Sequence, residues 1–71
     1  MSEIFKCILR NVCSRQINEP FRVVDVRVCI GSSKSFLWKH ALNNPNREGR
    51  PYFIRIERGL FKINPDFKTC P

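Results

Sequence analysis

The sequence predicts an α+β domain, three helices followed by a C-terminal two-stranded β-hairpin. Three observations point there. Near the start, Ile4, Ile8 and Val12 repeat at the spacing of one helix face, with Phe5 and Leu9 beside them. After Gly31, residues 32–43 form an amphipathic stretch behind a run of serines. Residues 52–64 alternate about Arg58-Gly59, the pattern of a hairpin whose turn needs positive φ. Seventy-one residues make a single domain, 1–71. A chain of that length buries only about 60% of its unfolded surface, so its core is small.

The first helix is expected over residues 1–14. Ser2 suits its N-cap, and Glu3 suits the positive end of the helix dipole. Lys6 and Arg10 lie on the opposite face. Residues 15–20 are a polar connection closed by Pro20, and Phe21-Arg-Val23 suits a short first strand. Residues 24–30 read two ways. Val24, Val26, Val28 and Ile30 alternate as in a strand, while Val23, Val26 and Ile30 share a helical face. A short segment before Gly31 and a capped helix matches a helix-turn-helix, so a helix is predicted.

In the third helix, Leu37, Trp38, Ala41 and Leu42 form the apolar stripe. Ser32, Phe36, Lys39, His40 and Asn43 fall on the other side, which carries no acid. Residues 43–51 are a breaker-rich loop. In the hairpin, a tip at Arg58-Gly59 pairs Ile56 with Phe61 and Ile54 with Ile63, all facing inward, and sets Arg55 opposite Lys62 outside. Residues 65–71 are a tail whose Phe67 suits packing on the body.

Thirteen Lys and Arg against six Asp and Glu give a net charge of +7. An excess of that size favours an anionic partner. Between Gly31 and Asn64, seven cations meet two acids. The four cysteines at 7, 13, 29 and 70 form no Cys-x-x-Cys pair, and His40 is the only histidine. That spacing predicts no metal site and no disulfide. Free thiols in a reduced cytoplasm are expected, the first three as small apolar packers and Cys70 exposed. No apolar run approaches a membrane span, and the start lacks signal-peptide character. The expected protein is cytoplasmic, nucleoid-associated if bacterial, without a cofactor or membrane partner. The acids are scattered, so an enzyme is not expected.

The order helix, short strand, helix, turn, helix, hairpin is that of a winged-helix domain. Asp25-Val-x4-Gly31-x-Ser33-x-Ser35-x-Leu37 resembles the second and third helices of bacterial helix-turn-helix regulators. Phe53-Ile-Arg-Ile-Glu-Arg-Gly-Leu-Phe-Lys-Ile63 resembles the wing of the HARE-HTH group, found in restriction systems, chromatin proteins and a bacterial RNA polymerase subunit. This chain is expected to stand alone where that group is fused to other domains, and its second helix is expected to be short and valine-rich.

The resemblance implies a double-stranded-DNA-binding protein: a transcriptional regulator or a nucleoid- or restriction-associated module. Ser32, Ser35, Lys39, His40 and Asn43 would then face the major groove, with Asn43 suited to adenine and Lys39 to guanine. Arg58 would sit at the minor groove or a phosphate, while Lys34, Arg47, Arg50, Arg55 and Lys62 would meet phosphates. Each has a plainer alternative: Lys39 solvated, His40 half-buried against the first helix, Arg55 and Lys62 keeping the hairpin soluble. Two other functions stay open. One is an adaptor or inhibitor docking on an acidic protein. The other is RNA binding, to which Phe36 and the basic loop are suited. An exposed Phe36 also suits a homodimer interface.

Overall fold

The computed structural model describes residues 2–70. Met1 and Pro71, which end the expected first helix and tail, lie outside the described residues. The chain forms a small α+β domain with three α-helices and a two-stranded antiparallel hairpin.

Helix α1 (Glu3–Cys13) follows its local signals. The Ser2 hydroxyl accepts hydrogen bonds from the Ile4 and Phe5 backbone N–H at 3.2 and 3.4 Å, satisfying two donors that lack helical partners. Phe5, Ile8 and Val12 are buried, with Ile4 and Leu9 half-buried beside them. The helix ends in a pair of bonds, Gln16 N–H to Asn11 O and Arg15 N–H to Val12 O. This is the Schellman arrangement, normally built around glycine. Here Arg15 occupies the left-handed position, at φ 66°.

Residues 24–30 are helical, as expected, but the helical segment begins at Val23, assigned to the short strand, and divides into a 3-10 turn (Val23–Val26) and a single α turn, α2 (Arg27–Ile30). Val26 and Ile30 enter the core, whereas Val24 and Val28 are 63% and 82% exposed. Gly31 ends α2 at φ 58°, ψ −123°, a conformation natural only to glycine.

The third helix departs most from expectation. α3 spans only Phe36–Lys39. Residues 32–35 precede it in turns, and no Ser35 side-chain bond caps it. Beyond it the backbone abandons the helix for the hairpin. Phe53 N–H donates to His40 O at 3.0 Å and Leu42 N–H to Phe53 O at 2.7 Å, so Ala41 pairs in parallel with Phe53. Ala41 is buried, while Leu42, assigned to the apolar stripe, is 49% exposed.

Strands β1 (Phe53–Glu57) and β2 (Leu60–Ile63) turn at Arg58-Gly59 as expected, with Glu57 opposite Leu60 and Gly59 at φ 78°. An irregularity between Arg55 and Glu57 then moves the register. Phe53 faces Ile63, Ile54 faces Lys62, and Arg55 faces Phe61. The expected pairs Ile56–Phe61, Ile54–Ile63 and Arg55–Lys62 are therefore wrong. One extra residue at a bulge reverses the faces of everything beyond it. The inward set is Phe53, Phe61 and Ile63. Ile54 is half-buried, and Ile56 is 49% exposed.

Phe53 supplies the reason. Fully buried, its ring meets Phe5, Phe21, Phe36 and Tyr52 at centroid separations of 5.7 to 6.2 Å. Phe21 and Phe61 exchange backbone bonds at 2.8 and 2.9 Å, so the expected short first strand is a single bridge. Phe36 packs against the core instead of standing on an outer face, and Phe67 closes over Phe5 and Tyr52.

The expectation of free thiols is also corrected. Cys7 is bonded to Cys29 and Cys13 to Cys70, leaving no free cysteine. The sequence offers no pairing signal because the partners are 22 and 57 residues apart. Folding brings α1 against α2, and the tail back to the end of α1, with Cα separations of 5.6 and 5.5 Å. Those lie within the span a disulfide bridges. Closing loops of those lengths stabilises the fold by roughly 3–5 kcal/mol each in the chain-entropy account.

Candidate nucleic-acid interface

The expected major-groove residues do not form one helical face. Ser32, Lys34 and Ser35 are exposed but belong to turns. Lys39 ends α3 and pairs with Glu48 at 3.5 Å; both are solvent-exposed, so the pair contributes little.

His40 is engaged internally. Its ring lies 4.5 Å from that of Phe36 and 5.1 Å from that of Tyr52. Its Nδ1 is 3.0 Å from Arg50 O. Gly49 lies so close that a β-carbon there would sit 2.8 Å from His40 Cε1. The imidazole thus pins loop 43–51 onto α3, and its neighbours are Phe36 and Tyr52, not α1.

Asn43 is likewise occupied. Its Nδ2 donates to Arg55 O at 2.8 Å, and Arg55 N–H donates to its Oδ1 at 3.0 Å. The side chain continues the ladder begun by residues 40–42 and closes the free edge of β1. The amide edge that would pair bidentately with adenine is already spent on Arg55.

What remains is cationic. Arg47 Nε bonds Gly49 O at 2.9 Å, and Arg50 is exposed in the same loop. The Arg55 guanidinium lies 4.0 Å over the half-buried Trp38 ring, a cation–π contact that holds its orientation while leaving its N–H edge free. Trp38 is thus a margin residue with one face covered by a cation. Arg58 is exposed at the hairpin turn, and Lys62 stands opposite Ile54 on the outer sheet face. Among the described residues, only Lys39 of the seven cations between Gly31 and Asn64 forms an ion pair.

Reading the sequence missed Arg22. Phe21's bridge to Phe61 carries it to the hairpin turn, where its Nη1 lies 3.8 Å from where a β-carbon on Gly59 would sit. The only available signal was its place beside a residue suited to a short strand.

Among the described residues, no three His, Cys, Asp or Glu side chains converge as a metal site would require, and no helix is long and apolar enough to cross a membrane. No family model matches the chain, and no curated protein or solved structure is significantly similar to it.

Proposed function

We propose that this domain binds double-stranded DNA through its backbone phosphates, without reading sequence. The observation that carries this is the set of cations at 34, 47, 50, 55, 58 and 62, which form no ion pair among the described residues. Cations without acidic partners release counterions when they meet phosphate, which is the source of non-specific affinity. The hairpin with Arg58 at its tip supports a winged-helix-like use of the wing. The one-turn α3 and the committed Asn43 and His40 argue against base readout, so a packaging or coating role fits better than a site-specific regulator.

The test is binding of random duplex at several salt concentrations. Four to six phosphate contacts predict a log–log slope of about −4 to −5. Arg58→Ala and Arg55→Ala should each flatten it by about one unit. Asn43→Ala should leave sequence preference unchanged. Failure to bind duplex at low salt would overturn the proposal.

A second reading, an adaptor for an acidic protein, is favoured by the two disulfides. A small domain with two such bonds suits an oxidising compartment rather than the reducing cytoplasm. The half-exposed Leu42 and Ile56 suit a mixed apolar and acidic partner surface. Such an interface responds less steeply to salt than phosphate contacts do.

A further inference from the structure

We propose that Arg22 and Arg58, from two separate segments of the chain, form one phosphate-binding site at the hairpin turn. The site deepens the nucleic-acid reading by adding a cation outside the basic half of the sequence and by naming the pair that shares an anion.

Arg22 is positioned from both sides. Phe21, just before it, is locked to Phe61 by the reciprocal backbone bonds. Its own N–H donates to Asp25 Oδ2 at 2.9 Å. That bond engages Asp25 through the backbone, and Asp25 makes no ion pair with the guanidinium. The Arg22 side chain then reaches across to Gly59, the residue after Arg58. Neither arginine has a carboxylate partner among the described residues. Arg58 is exposed at the same turn, and a phosphate accepting N–H bonds from both guanidinium groups would be held by two charges. Glu57, exposed at the end of β1, is the opposing charge nearby in the chain and is paired with neither. Its presence weakens the site without filling it.

The experiment uses two probes on the intact, oxidised protein: inorganic phosphate, followed through the arginine Nε–Hε signals by NMR, and random-sequence duplex. Phosphate should shift the Arg22 and Arg58 signals together and leave that of Arg10 in place. On duplex, Arg22→Ala and Arg58→Ala should each weaken binding roughly three- to tenfold. The double variant should lose little more than either single, because both meet the same phosphate. Glu57→Gln should tighten binding. Joint shifts with wild-type protein that ignores duplex would leave the site standing for free phosphate and remove the nucleic-acid reading. Additive losses on duplex, or shifts in only one or neither signal, would overturn the shared site.

Discussion

Helix α1 and the stretch 31–44 carry equally strong helical signals in the sequence, yet only the first is a long helix. Both have serine at the start and an apolar stripe. In α1 the end groups that lack helical partners are satisfied locally, by the Ser2 hydroxyl at one end and by Ser14, Arg15 and Gln16 at the other, and the stripe meets the core along its length. In the second stretch, the carbonyl of His40 and the N–H of Leu42 have a competing partner in Phe53, and Asn43 adds two bonds to Arg55. A helical turn gains about one hydrogen bond per residue. Pairing with β1 matches that gain and also covers a strand edge that would otherwise stand open. A helix signal is therefore a statement about local preference, and a strand edge elsewhere in the chain can outbid it.

The links that bring distant segments together should give the largest effects. Reduction of both disulfides should lower stability by more than any single core truncation, roughly 3–5 kcal/mol per bond. Thiol titration should find no reactive group, in the native or the unfolded protein, until a reductant is added. Appreciable native thiol would restore the reading of free cysteines.

The next largest effect tests the register. Phe53→Ala should cost about 3–5 kcal/mol in urea unfolding, because it empties the aromatic centre. Ile56→Ala should cost about 0.5 kcal/mol, as expected for a half-exposed bulge residue. Were Ile56→Ala the costlier of the two, the inward set first expected from alternation would be correct.

Smaller effects separate the two stretches directly. Ser2→Ala should destabilise by about 1 kcal/mol, because it removes a cap, and Ser35→Ala should change little, since its hydroxyl makes no capping bond. Asn43→Ala should cost about 1 kcal/mol through its two lost backbone bonds and raise amide exchange at Arg55. Arg15→Gly should be neutral to slightly stabilising, by about 0.5–1 kcal/mol, since glycine takes the left-handed position without strain. Equal losses at Ser2 and Ser35 would mean that the second stretch is helical in solution.

From sequence alone came α1, the turn at Arg58-Gly59, the helical character of residues 24–30, the packing of Phe67 and the cationic bias of the second half. Apart from Phe67, whose hydrophobicity says only that it packs somewhere, each depends on residues within a turn or two of one another, or on composition, and so needs no knowledge of distant partners. Tertiary structure decided the rest: the early end of α3, the bulge that turns Phe53 inward, the two cysteine pairings, and the internal duties of His40 and Asn43. Each was settled by a group ten or more residues away competing for the same hydrogen bond, core position or sulfur. Arg22 shows the same division at the candidate site. Its charge is plain in the sequence, but its place beside Gly59 exists only because Phe21 pairs with Phe61 forty residues further along the chain.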